Sequence, residues 1–161
     1  VGARGIYQAQ ECHFVNLIPP VDGDGGITSG VINLKDYAHA TIVLQLGVSA
    51  TPGKVSLEAS DNGSPEATAA IGFNVHKCEV AYNAADGDVL GPRVACAAAD
   101  GFTPVTGDGI FYVIELDSNT LPSGKPYVKL VLADPGATLG SALAILSGAR
   151  YGHDQSESVL V

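Results

Sequence analysis

IFYVIELD (110–117), KPYVKLVLADP (125–135) and GSALAILSGARY (140–151) decide the fold of this chain. Each reads as a strand, and the block holds no nucleophile, base or ligand cluster. Outward from it, alternation of apolar and polar residues picks out eight strands in all, near 11–17, 30–35, 39–48, 54–60, 70–80, 110–117, 126–133 and 141–151. Eight strands suit a two-sheet sandwich. The clearest is 39–48, where Ala40, Ile42, Leu44, Leu46 and Val48 take one face and Thr41, Val43 and Gln45 the other. In the next strand Val55, Leu57 and Ala59 alternate with Ser56, Glu58 and Ser60, leaving one wet face.

Residues 48–53, VSATPG, are expected to make a hairpin between these two strands, because Pro52 presets φ and Gly53 tolerates a tight turn. In 70–80 the inward set Ile71, Phe73, Val75 gives way to Cys78, Val80, Tyr82, a change of parity that a β-bulge near His76-Lys77 would produce. Residues 84–109 break the strand pattern and are expected to form a surface excursion with one short helix or strand. The first ten residues and residues 152–161 lack alternation and are read as arms, the second ending in Val159-Leu160-Val161 after the polar run HDQSES.

Composition points the same way. The 161 residues are the length of one domain, 1–161, and 20 Gly, 9 Pro and only 16% charged residues suit short strands and tight turns. The net charge is −9, with the eight basic residues dispersed singly, so nucleic acid is not an expected partner. No apolar run approaches the roughly 20 residues of a membrane helix, and no polybasic patch is present, so no membrane partner is expected either. Cys12, Cys78 and Cys96 are an odd number and widely spaced, which reads as reduced thiols in a protein folded in the cytosol. Val1 is expected to be a processed or trimmed start.

Catalytic and metal-binding patterns fail one by one. Asp22-Gly-Asp24-Gly-Gly26 has the alternate carboxylates of a calcium loop but lacks the later oxygen ligands and the bidentate Glu. Cys12 and His13 are adjacent in a strand and point to opposite faces, while His76 and Cys78 share a face only without the bulge. There is no GxSxG elbow, no CxxC or HxxxH, and no phosphate loop with its lysine. Glu58, Asp61, Glu66, Glu79 and Glu115 are read as solvated charges. No Trp is present to make a sugar platform, which leaves Tyr7, Tyr82 and Tyr151 as candidates for one. No enzyme activity and no cofactor are expected.

HFVNLIPPVD (13–22), the strands HATIVLQLG and KVSLEASDN, and the closing series IFYVIELD, LPSGKPYVKLVLADP and SALAILSGARY together resemble the head-associated capsid decoration (cement) proteins of tailed bacteriophages. The resemblance covers about residues 12–151. It implies an all-β, two-sheet sandwich of jelly-roll type, with an Ig-like sandwich as the alternative, and extended arms at both ends. It further implies a virion protein without turnover that folds in the bacterial cytoplasm. That protein would sit on the outer capsid surface, bind the major capsid protein and self-associate as a dimer or trimer.

Arm residues Arg4, Ile6 and Tyr7 and tail residues Val159, Leu160 and Val161 are the candidate inter-subunit contacts, since strand addition to a neighbour's edge needs no pocket. Another virion part (head fibre, head-completion or tail protein) and a carbohydrate-binding adsorption module are the alternatives.

Overall fold

The structure, a computed structural model, describes residues 5, 7–51, 53–64, 68–133, 136–150 and 158–161. Its elements in chain order begin with a single helical turn, α1 (Gln8–Glu11), then β1 (His13–Asp22), β2 (Ile27–Thr28), β3 (Ile32–Asn33), β4 (Tyr37–Ser49) and β5 (Val55–Ser60). They continue with β6 (Ala69–Ile71), β7 (Phe73–Cys78), β8 (Val94–Cys96), β9 (Ile110–Asp117), β10 (Tyr127–Leu132) and β11 (Thr138–Ala149). The strands make two antiparallel sheets, ordered β1-β11-β4-β9-β7-β8 and β2-β10-β5-β6, with β3 also on β10.

This order settles the type of sandwich. β2 and β3 both lie along β10, and β6 and β7 are one strand broken at Gly72, so apart from β8 the strands count as eight. First pairs with last (β1·β11), second with seventh (β2/β3·β10), third with sixth (β4·β9) and fourth with fifth (β5·β6). Such nested pairing is the jelly-roll wrap. The Ig-like order, in which the first strand pairs with the second, does not occur.

Three expectations change. Residues 48–53 are not a hairpin: β4 lies in the six-stranded sheet and β5 in the other, so this connection crosses between sheets. The stretch 70–80 is two strands, with Ile71 paired to Leu57 in one sheet and Phe73 to Cys96 in the other. No bulge interrupts β7, whose ladder on β9 runs unbroken from Asn74↔Glu115 to Cys78↔Phe111. Cys78 is buried because residues 86–87 cover the outer side of the strand, where its thiol donates to the Gly87 carbonyl at 3.3 Å.

Between the sheets, Ile42, Leu44, Tyr112 and Ile114 from one side meet Leu57, Ala59, Val128 and Leu130 from the other, all at most 1% exposed. Burying one such aliphatic side chain contributes about 1.5–3 kcal/mol. Polar groups caught near this core are paired. The Ser29 hydroxyl accepts from the Leu130 amide (2.9 Å) and donates to the Gly30 carbonyl (2.6 Å), and Thr138 donates to the Ser49 hydroxyl (3.2 Å).

The acidic turn after β1 needs no ion to account for it. The Asp24 amide donates to the Asp22 carboxylate (3.2 Å), and the Gly26 amide to the Gly23 carbonyl (2.8 Å), closing the turn on its own bonds.

Candidate docking surface

The outer face of the six-stranded sheet carries apolar side chains among polar ones. Cross-strand pairing sets Asn16, Leu143, Val43, Val113 and His76 in one row over five strands. The next row holds Phe14, Ile145, Thr41, Glu115 and Asn74, and the row on the other side Ser141, Gln45, Phe111 and Cys78. Phe14 is 42% exposed and Leu143 39%, while Val43, Val113 and Ile145 are half-buried. Side chains directly opposite on adjacent strands touch, so these residues form one continuous patch.

One end of the face is built up by the excursion. The Gly91 amide donates to the Lys77 carbonyl (2.9 Å), and the Gly91 carbonyl is 2.9 Å from His76 Nδ1, so the chain after β7 folds back over the sheet. Tyr82 packs over Gly109, where any Cβ would lie 2.4 Å from the Tyr82 ring. The result is a groove of about 610 Å³ lined by Val21, Gln45, Tyr82, Phe111, Leu139 and Ser141, among others. Tyr112, whose ring faces the core, ties the excursion to β9: its buried hydroxyl accepts from the Val105 amide and donates to Glu79, both at 3.1 Å.

The opposite end carries charge. His39 is held between Asp117 (Nδ1, 2.7 Å) and Glu115 (Nε2, 2.5 Å), and Thr41 donates to the same Glu115 oxygen at 2.7 Å. Burial pulls the imidazole pKa down, but hydrogen bonds to the two carboxylates and their charge outweigh it, so the pKa is raised. The Thr41 hydroxyl is bonded to the carboxylate rather than to the imidazole, so this cluster does not activate it as a nucleophile. Although His76 and Cys78 share the outer face, each is satisfied by a loop carbonyl, and no group of three His, Cys, Asp or Glu that could hold a metal occurs among the described residues. All three cysteines are free.

The residues expected to make subunit contacts are scattered. Arg4 and Ile6 lie outside the described residues, and so does Tyr151. Tyr7, 74% exposed, begins the turn α1, its carbonyl accepting from the Gln10 amide. Val159, Leu160 and Val161 do not extend away from the sandwich: Leu160 bridges Ile32 of the same chain, and Val159 packs against the core.

The expectation of one short element in 84–109 is met by β8, which pairs with β7. What the pattern reading missed is the outer face. Its signal was present in Phe111 and Val113 and in Leu143 and Ile145, apolar residues at the parity opposite to the core set.

No family model matches the chain, and no curated protein matches it. Among solved structures, the crystal structure of SPBc2 prophage-derived protein YomS is similar, with a TM-score of 0.45 and 12% identity over 84% of this chain and 95% of that one. A likeness of this degree carries no argument, and the jelly-roll assignment rests on the strand pairing.

Proposed function

We propose that this chain is a non-enzymatic structural protein of a tailed-bacteriophage virion, a capsid decoration protein that binds the outer surface of the major capsid protein lattice. The observation that carries the reading is the apolar strip on the outer face of the six-stranded sheet, formed by Phe14, Ile145, Leu143, Val43, Val113 and Phe111 among polar neighbours. Sequence likeness in the strands quoted above supports the virion assignment.

The face over four strands about 4.8 Å apart, six residues long at about 3.4 Å each, covers roughly 400 Å², with polar positions such as Thr41, Gln45 and Ser141 inside it. Its apolar part is no larger than the largest apolar patch of a typical single chain, about 300–600 Å², which is often functional. It falls short of the about 800 Å² each partner buries in a standard interface. A contact of this size is weak singly and gains strength where one molecule is held at several points of a repeating surface.

The test is the copy number of this chain in purified virions, set against the major capsid protein by quantitative mass spectrometry. A ratio near one, or a fixed lattice fraction of it, is expected. A handful of copies would move the protein to a fibre, head-completion or tail position, and none would refute the virion reading.

A second reading, a carbohydrate-binding adsorption module, is favoured by Tyr82, which stands 70% exposed at the groove. Loss of glycan binding in Tyr82→Ala, against no glycan binding by either form, separates the two.

A further inference from the structure

Val159, Leu160 and Val161 occupy a seat shaped for them. The Asn33 amide donates to the Val159 carbonyl (2.9 Å) and the Val161 amide to the Val31 carbonyl (3.1 Å), so the tail adds a short antiparallel strand beside β3. Two glycines make the room. A Cβ on Gly30 would stand 3.1 Å from Leu160 Cδ2, and one on Gly63 would stand 1.9 Å from Val161 Cγ1. Only Gly at 63 lets the last residue lie where it does.

The same seat holds the tail lightly. Leu160 remains 45% exposed and Val161 64%, and of the three only Val159 joins the core. Residues 150–157, eight in number, lie between the end of β11 and the tail.

We propose that the edge of β3 is a strand-accepting slot, and that in assemblies its occupant is the C-terminal segment of a second copy of this chain. In the slot, backbone bonds join Val159 and Val161 to Asn33 and Val31, Leu160 bridges Ile32, Gly30 and Gly63 make room for Leu160 and Val161, and Val159 packs on the core. A tail from a neighbour therefore re-forms the same bonds that the chain's own tail gives up, as in domain swapping. The balance is then set by concentration: the chain's own tail competes from within the same molecule, and copies held side by side on a repeating surface raise the local concentration of neighbouring tails. The inference does not depend on which surface holds them.

The test pairs two full-length variants. A donor, Gly63→Val, has a native tail and a blocked slot; an acceptor, Val159→Ser with Leu160→Ser and Val161→Pro, has an open slot and a disarmed tail. Native mass spectrometry of the two at millimolar concentration is expected to show a one-to-one heterodimer that neither forms alone. It should be lost when the donor also carries the disarmed tail.

In parallel, a labelled peptide of residues 155–161 is titrated onto the acceptor, which keeps the question open to refutation if Gly63→Val does not fold. Saturable binding, at least tenfold tighter than that of the same peptide with Ser at 159, 160 and 161, is expected. Absence of heterodimer between folded variants, or equal binding of the two peptides, would overturn the proposal and leave the slot as a seat for the chain's own tail only.

Discussion

Replacing Tyr112 by Phe removes one oxygen that ties the 84–109 excursion to β9, and the structure says what that oxygen does. The ring is fully buried and packs on Phe102 with centroids 4.9 Å apart, contacts that Phe keeps. Lost are the bond accepted from the Val105 amide and the bond donated to Glu79. Burial holds the phenol pKa far above the ordinary tyrosine range, so the hydroxyl stays a neutral donor throughout the stable pH range. A hydrogen bond contributes about 1 kcal/mol net; Glu79 keeps its ion pair with Lys77 (3.7 Å), while the Val105 amide then depends on water for a partner. The expected cost is about 2 kcal/mol, equivalent to a fall of about 4–8 °C in Tm for a chain of this size. Urea unfolding should show the lower midpoint with an unchanged slope, and hydrogen exchange should show faster exchange at Val105. A Tm within about 1 °C of the parent, with Val105 protection unchanged, would refute the claim that this hydroxyl anchors the excursion.

Two further outcomes follow from the outer face. Because the folded pKa of His39 is raised, its stabilisation is complete below the unfolded value of about 6.5 and is lost as pH rises through the folded value. Tm measured against pH should therefore decline over that window in the parent, and the same decline persisting in His39→Gln would refute the assignment. Val113→Ser combined with Leu143→Ser changes two half-exposed positions, so stability should fall by only about 1–2 kcal/mol while capsid affinity drops at least about tenfold. Unchanged co-sedimentation of the folded variant with capsids would exclude this face as the docking surface.

The outer face shows where pattern reading stops. In β4 the outward set Thr41, Val43 and Gln45 looked like an ordinary mixed face. In β9 and β11, Phe111, Val113, Leu143 and Ile145 made both parities apolar. Such runs are the mark of strands buried on both sides. Here one side is covered by the second sheet and the other is not, and nothing local to β9 or β11 distinguishes the two. The parity change at Cys78 was misattributed for a related reason: a residue is buried by whatever lies over it, and residues 86–87 come from a loop eight or nine positions away.

Local chemistry alone determined that this chain is all-β, where most of its strands run, and that residues 84–109 stand outside the strand pattern. Period-two alternation and turn residues act over a few neighbours and are written into the order of side chains. Only the tertiary structure decided that the strands nest as a jelly roll, that the outer face of β9 and β11 meets water, and that Val159, Leu160 and Val161 close onto β3. Each of these depends on which distant segments lie side by side, and alternation is identical whichever sheet a strand joins.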